Sequence, residues 1–168
     1  ANETFETILP DSSSANSASN TILNIMQDSK KRIWLGTSDG LFKIDKSTEK
    51  IEKTFIKNGD NKAPFSGQTW AILETSSGQI YADYYFQGLT RYNESTNLFE
   101  WVSVSPSNPD LFKAVLLFEF YEDKTGKIWI SGQNGLFNYD PNNSSFNEIN
   151  LFKKVSDSNN NNINITLG

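Results

Sequence analysis

The sequence predicts an all-β chain that forms a fragment of a β-propeller: about three four-stranded antiparallel blades, with single strands of the flanking blades at its ends. Three observations predict it. One pattern recurs along the chain, reading IWLGTSDGLFKID at 33–45, IYADYYFQGLTRYN at 80–93 and IWISGQNGLFNYD at 128–140. The glycines of its Gly-Leu step, Gly40, Gly88 and Gly135, stand 48 and 47 residues apart, which is the period of a four-stranded blade. Aromatic residues make up 13% of the chain and lie with Ile and Thr in short runs between Gly, Asn, Asp and Ser clusters, a composition of strands and turns. No window sustains the apolar rhythm of a helix.

Each copy carries the same flanks, so a whole unit parses into strands. The stretches TILNIMQDSKKR, TWAILETSSGQ and AVLLFEFYEDKTGK precede the three copies. Each is an apolar strand that ends in a polar residue and a tight turn. After each copy come a polar turn and a short strand: Ile51 to Phe55, Leu98 to Val102, and Phe146 to Ile149. The resulting division is 1–20 as the outer strand of a preceding blade with a linker, 21–55 as blade 1, 69–102 as blade 2, 114–150 as blade 3, and 151–168 as a linker with the inner strand of the next blade. The flanking strands are placed at Phe5 to Leu9 and Asn162 to Leu167, so the chain is expected to begin and end mid-blade. A blade is a twisted sheet with two apolar faces that it cannot cover alone, so blades stack about an axis and bury both. Trp34, Tyr81 and Trp129, Phe42 and Phe137, and Ile44, Tyr92 and Tyr139 are the expected packing between blades.

Composition narrows the function. The chain has no histidine, which removes the commonest general base and metal ligand. It has no cysteine either, so neither a disulfide framework nor a thiolate metal site is open to it. The net charge is -5 without a basic stripe, so nucleic acid is not an expected partner. The longest apolar stretch, Ala114 to Phe118, is too short to span a bilayer. No phosphate loop, metal cluster or nucleophile motif is present, and the expectation is a non-enzymatic chain with no cofactor and no metal.

The unit that runs from Ile22 to Asp45, with Asp28, Ile33, Trp34, Gly36, Thr37, Gly40 and Leu41, resembles the two-component regulator propeller repeat. Leu116 to Asp140 is similar, with Ser131 and Gly132 in place of Gly-Thr. The middle copy departs most: Tyr81 replaces Trp, and Asp83-Tyr84-Tyr85-Phe86 replaces Gly-Thr with one extra residue. The resemblance implies the periplasmic sensor region of a membrane-anchored regulator, which binds an oligosaccharide or similar nutrient and passes the signal to a kinase. That kinase output domain is absent from this chain.

Propeller ligands commonly sit near the axis, on the face built by the blade-to-blade connections (here 56–68 and 103–113) and the second turn of each blade. On that face the turn with Asp83, Tyr84, Tyr85, Phe86 and Gln87 breaks the repeat. Strand side chains alternate, so at least one of its aromatics should point away from the core. Aromatics beside Asp and Gln suit sugar rings, which present apolar faces and hydroxyl edges; the competing reading is that they fill a wider gap between blades. Trp70, which opens the inner strand of blade 2, is the remaining candidate, against a packing role. Asp28, Glu74 and Asp123 read as caps of turn amides. The expected function is ligand sensing. Its alternatives are a protein-interaction platform, and a propeller lyase, which the lack of histidine disfavours. Exposed terminal faces predict association with further blades of the same protein or with a second copy.

Overall fold

The computed structural model describes residues 7–58, 61–63, 67–85, 88–102, 116–133, 135–149, 152–154 and 165–167. Its first sheet is β1 (Ile22–Gln27), β2 (Ile33–Thr37), β3 (Gly40–Asp45) and β4 (Lys50–Lys53), paired antiparallel in chain order. A hairpin of β5 (Ile56–Asn58) and β6 (Asn61–Ala63) follows. The second blade is β7 (Ile72–Glu74), β8 (Ile80–Tyr84), β9 (Gly88–Asn93) and β10 (Leu98–Trp101). The third is β11 (Leu117–Glu122), β12 (Ile128–Gly132), β13 (Gly135–Asp140) and β14 (Ser145–Ile149). The chain therefore folds as propeller blades, as its period requires.

Two connections differ from the loops expected of them. The segment after blade 1 is a hairpin whose β5 adds parallel to the outer edge of blade 2, with Ile56 opposite Phe99. Its Ile56 is buried with Phe99 between blades 1 and 2, and that apolar anchor is why the edge strand β10 acquires a neighbour instead of facing water. Near the C-terminus, β15 (Phe152–Lys154) pairs antiparallel with β16 (Ile165–Leu167), within the strand placed at 162–167. Of the strand placed at 5–9, residues 5 and 6 lie outside the described residues, and Thr7 to Leu9 are not strand. The connection 103–113 also lies outside them.

Aligning the blades by register makes equivalent positions explicit. Trp34, Tyr81 and Trp129 lie opposite Met26, Leu73 and Tyr121 on the inner strands. Between blades 1 and 2, Trp34 and Leu41 pack on Ile72, Ile80, Tyr92 and Phe99, and the Trp34 ring meets Tyr92 and Phe99 edge-on at 4.9 and 5.9 Å. Between blades 2 and 3, Tyr81 and Leu89 pack on Phe120, Ile128, Ile130, Phe137 and Tyr139. Each fully buried side chain of this size contributes roughly 1.5–3 kcal/mol. The glycine of each Gly-Leu step has a positive φ, 109° at Gly40, 77° at Gly88 and 132° at Gly135. A side chain rarely adopts that conformation, which explains the invariance of the step within the chain.

The turn caps are arranged differently from the series Asp28, Glu74 and Asp123. The Asp28 and Asp123 amides donate across the turn to the Arg32 and Lys127 carbonyls, and in blade 2 it is the Thr75 amide that donates to the Gln79 carbonyl. The equivalent series is therefore Asp28, Thr75 and Asp123. Where the acid is present, its second oxygen accepts the indole N–H of the tryptophan six residues on, Trp34 on Asp28 and Trp129 on Asp123, both at 2.8 Å. Blade 2 has Thr75 and Tyr81 instead: with no indole N–H to satisfy, the carboxylate is not required. Glu74 has another role. It crosses to the preceding blade and accepts from the Ser29 amide and hydroxyl at 2.7 and 2.6 Å, as Glu122 accepts from the Ser76 amide and hydroxyl at 2.6 and 2.9 Å.

Asp28 also accepts from the Arg32 amide and from its Nε at 2.8 and 2.6 Å, while being only 4% exposed. Asp28→Ala is expected to lower the unfolding free energy by about 2–4 kcal/mol, because it strands the Trp34 indole and one side of Arg32 together. Urea midpoints check this, with Thr75→Ala, expected to cost about 1 kcal/mol, as the comparison; equal losses would refute the indole–carboxylate assignment.

Candidate functional site

The start of the second blade's inner strand and its β8–β9 turn meet at the end of the blades where β2 turns into β3. Register places Leu23, Trp70 and Phe118 at one position, each ten residues before the isoleucine that opens the second strand. In blades 1 and 3 the pairing slips at this position, between Ile22 and Asn24 and between Leu117 and Glu119. Such a bulge turns a side chain out of the ladder and leaves amides to be satisfied. Trp70 and Phe118 are 37% and 44% exposed there.

Asp83 supplies the missing acceptor in blade 2. It occupies the position of Gly36 and Ser131, is 2% exposed, and its Oδ1 accepts from the Trp70 and Ala71 amides at 2.7 and 2.8 Å. Burial pushes its carboxyl up to about 7, against the backbone amides of Ala71, Trp70 and Asp83 itself, which favour the charged form. In blade 1 the same position must be glycine for a different reason. A Cβ on Gly36 would stand 2.5 Å from the Thr69 carbonyl oxygen, because the chain entering blade 2 runs directly over it, with the Thr69 amide on the Thr37 carbonyl at 3.0 Å. Asn24 holds the same stretch by donating to the Trp70 carbonyl at 2.8 Å.

The five residues of the unusual turn divide by environment. Tyr84 is 1% exposed, its ring lies 5.5 Å from Phe99, and its hydroxyl shares a 2.8 Å hydrogen bond with Thr54 of blade 1. Burial pushes its phenol well above the usual range. It fills the space between blades. Tyr85 is 36% exposed and its amide donates to the Gln68 carbonyl at 2.9 Å, while the Trp70 indole donates to the Gln68 side-chain oxygen at 3.3 Å. Phe86 and Gln87 lie outside the described residues. The structure thus brings Trp70, Tyr85 and the buried Asp83 together, with Tyr84 anchoring the turn from below.

Two residues escaped the sequence reading, Gln68 within the site and Phe118 at the matching position of blade 3. Gln68, which ties Trp70 to Tyr85, sits in a connection with no repeat to mark it. Phe118 could have been found by its fixed offset from Ile128, the same as that of Trp70 from Ile80. Next to Trp70, the Thr69 hydroxyl is buried without a hydrogen-bond partner. Among the described residues no group of three or more acidic side chains is placed to hold a metal ion, and no helix is long and apolar enough to cross a membrane.

Residues 16–39 match the family described as two component regulator propeller. That match falls on the segment entering blade 1 and on β1 and β2. The solved structures that resemble it include the extracellular domain of a putative hybrid two component system from B. thetaiotaomicron, at 16% identity and a TM-score of 0.63 over 79% of this chain and 19% of that one. A second structure of that domain, described as a putative one component system, matches at 17% identity, a TM-score of 0.62 and the same coverage of 79% and 19%. The extracellular domain of another putative hybrid two component system from the same organism matches at 23% identity and a TM-score of 0.54, over 82% of this chain and 18% of that one. These likenesses establish the propeller fold, and the chain spans about a fifth of the length of the first two structures (19%). No curated protein sequence matches the chain.

The raised Asp83 carboxyl makes a signed prediction. Its ordinary value is 3.8 and its folded value about 7, so between these the folded state holds the extra proton. The associated stability is fully present below about pH 4 and is lost as pH rises through 7. Glu94 acts in a separate window: Arg32, opposed by partial burial and aided by Lys30, holds its carboxyl down to about 2 against an ordinary 4.5. Its contribution is present above pH 4.5 and lost as pH falls towards 2. Between pH 5 and pH 8 the wild-type chain should therefore lose on the order of 2–4 kcal/mol relative to Asp83→Asn. Urea midpoints at the two pH values test it, and parallel profiles would refute it.

Proposed function

We propose that the chain is part of an extracytoplasmic sensing propeller of a two-component regulator, and that it binds a small soluble ligand of the oligosaccharide class at Trp70 and Tyr85. One observation carries the reading. Trp70 and Tyr85 stand about a third exposed on one blade, both tethered to Gln68, above a carboxylate that holds the backbone beneath them. Aromatics held rigidly at low entropic cost, with amide and carboxamide groups beside them, suit the apolar faces and hydroxyl edges of a sugar ring.

The family match at residues 16–39 and the extracellular origin of the similar structures support the compartment and the sensing role. The same comparison, with a chain that has no histidine, supports a binding module over an enzyme. In this reading the signal leaves through parts of a membrane-anchored regulator outside these residues, towards a kinase output domain. An interaction platform is the second reading, favoured by the face of blade 3 that no described residue covers, where Tyr121 is 64% exposed.

A panel of oligosaccharides tested by thermal shift decides between them. A ligand at one hundred times its dissociation constant stabilises by about 2.7 kcal/mol, which for a chain of this size raises Tm by roughly 5–10 °C. Trp70→Ala and Tyr85→Ala should each abolish the shift while changing the unliganded stability by no more than about 0.5 kcal/mol. A panel with no responding sugar would overturn the sugar-sensing reading in favour of the platform.

A further inference from the structure

The two blade junctions share one plan and differ in how the space beside the first turn is filled. Strand register equates Asp28, Arg32 and Trp34 of blade 1 with Thr75, Gln79 and Tyr81 of blade 2, and Glu94 with Pro141 on the following blade. At the first junction Arg32 spans the gap. Its Nε donates to Asp28 at 2.6 Å, its terminal nitrogens donate to Glu94 at 3.0 and 2.6 Å, and its guanidinium lies over the Trp34 and Tyr92 rings. At the second junction every one of these charged groups is replaced. Gln79 turns into its own blade, where its side-chain nitrogen donates to the Tyr92 carbonyl at 2.8 Å.

The exchange leaves a cleft of about 210 Å³ between blades 2 and 3. Both of its walls are complete four-stranded blades. It far exceeds the roughly 10–15 Å³ that one water needs and is smaller than the roughly 300–1,000 Å³ of pockets for drug-sized ligands. Tyr81 lines it while being only 3% exposed. The indoles at the same position of blades 1 and 3 are satisfied by carboxylates, whereas the Tyr81 hydroxyl has no hydrogen-bond partner among the described residues. That hydroxyl is not sealed off, so the cleft it lines is its outlet. The Asn142 carboxamide, on the same lining, has no partner among them either.

The chemistry of the lining selects an occupant. Glu122 supplies its only charge, beside the hydroxyls of Thr75, Ser76 and Ser77. Both Glu122 oxygens already accept from Ser76, at 2.6 and 2.9 Å, and each keeps further accepting capacity. An anion would face that carboxylate without a cation to offset it, and a cation would find a single acid already half engaged. A neutral molecule with several hydroxyls can donate to Glu122 and accept from Tyr81 and Asn142 in one pose. Pro141 and the Tyr81 ring offer apolar surface to its C–H face.

We propose that the cleft between blades 2 and 3 binds a neutral polyhydroxylated molecule the size of one sugar residue, held by Tyr81, Glu122 and Asn142. The cleft adjoins the β7–β8 turn, at the opposite end of blade 2 from Trp70 and Tyr85. It therefore stands or falls independently of the site proposed there.

Chemical-shift titration of the isotope-labelled chain tests this with glucose, galactose, their alditols, glucuronate and glucosamine as probes. At least one neutral probe should move the amides of Ser76, Tyr81 and Asn142 along a single saturation curve while those of Trp70 and Tyr85 stay in place. Glucuronate should bind at least about tenfold more weakly than glucose, and glucosamine no more tightly than glucose. Tyr81→Phe keeps the ring and removes the unpartnered hydroxyl, and should weaken binding about three- to tenfold. Gln79→Arg combined with Pro141→Glu brings in the pair that fills the first junction and should abolish it. Because changes between blades can unfold the chain, Asn142→Ala on the exposed turn is the second variant, with the same expected weakening and an unchanged urea midpoint. Three outcomes would overturn the proposal: no neutral probe moving these amides, which leaves the cleft to water; affinity unchanged in folded Tyr81→Phe and Asn142→Ala; or tighter binding of a charged probe.

Discussion

Everything in this molecule depends on one constraint: a four-stranded blade cannot cover its own aromatic face, so each blade is completed by the next. Trp34 in blade 1 and Tyr81 in blade 2 are buried largely by residues of the following blade, roughly forty to sixty-five places further along. The Trp34 pocket is closed by Ile72, Tyr92 and Phe99 of the following blade, and the hairpin after blade 1 contributes Ile56 to the same core. Stability in such an array is shared between neighbours, and Tyr121, which no described residue covers, is 64% exposed.

The polar structure follows from the same packing. Burying an indole requires an acceptor for its N–H, and the residue that begins the preceding turn supplies it in blades 1 and 3. Blade 2 drops both members of the pair at once, using Thr75 with Tyr81, so the apparent irregularity of the middle repeat is one coordinated change. At the same turns a second set of contacts runs between blades, with Glu74 and Glu122 reaching back to the serines and Arg32 gripping Glu94. The Arg32 guanidinium also lies over the Trp34 and Tyr92 rings at 5.3 and 5.5 Å, which joins the charged rim to the aromatic core.

The candidate site arises where the middle repeat departs from its neighbours. A glycine at position 83 would have satisfied the pattern of Gly36, but here the chain carries a carboxylate that ties down the amides of Trp70 and Ala71. Strand register turns Tyr84, at the position of the buried Thr37, into the core against Thr54, and Tyr85 lies at the surface beside Gln68. Asp83 and Tyr84 thus end β8 at the register positions of Gly36 and Thr37, and the added residue falls beyond them, in the turn that begins with the exposed Tyr85.

The amino-acid sequence by itself determined the architecture: the Gly-Leu steps at 40, 88 and 135 and the strands around them report a local rule, and a rule repeated at a fixed period is visible in one dimension. It also marked the turn at 83–87 as the place where the rule breaks. It did not determine which of those residues face solvent, because Tyr84 and Tyr85 are alike in chemistry and are separated only by the path of a turn one residue longer than its counterpart. Nor did it show that Glu74 serves the preceding blade while Thr75 is the counterpart of Asp28. Those facts belong to the tertiary structure for a physical reason: contacts between blades join residues roughly 45 places apart, as Ser29 and Glu74 are, and only the stacking of sheets brings them within hydrogen-bond distance.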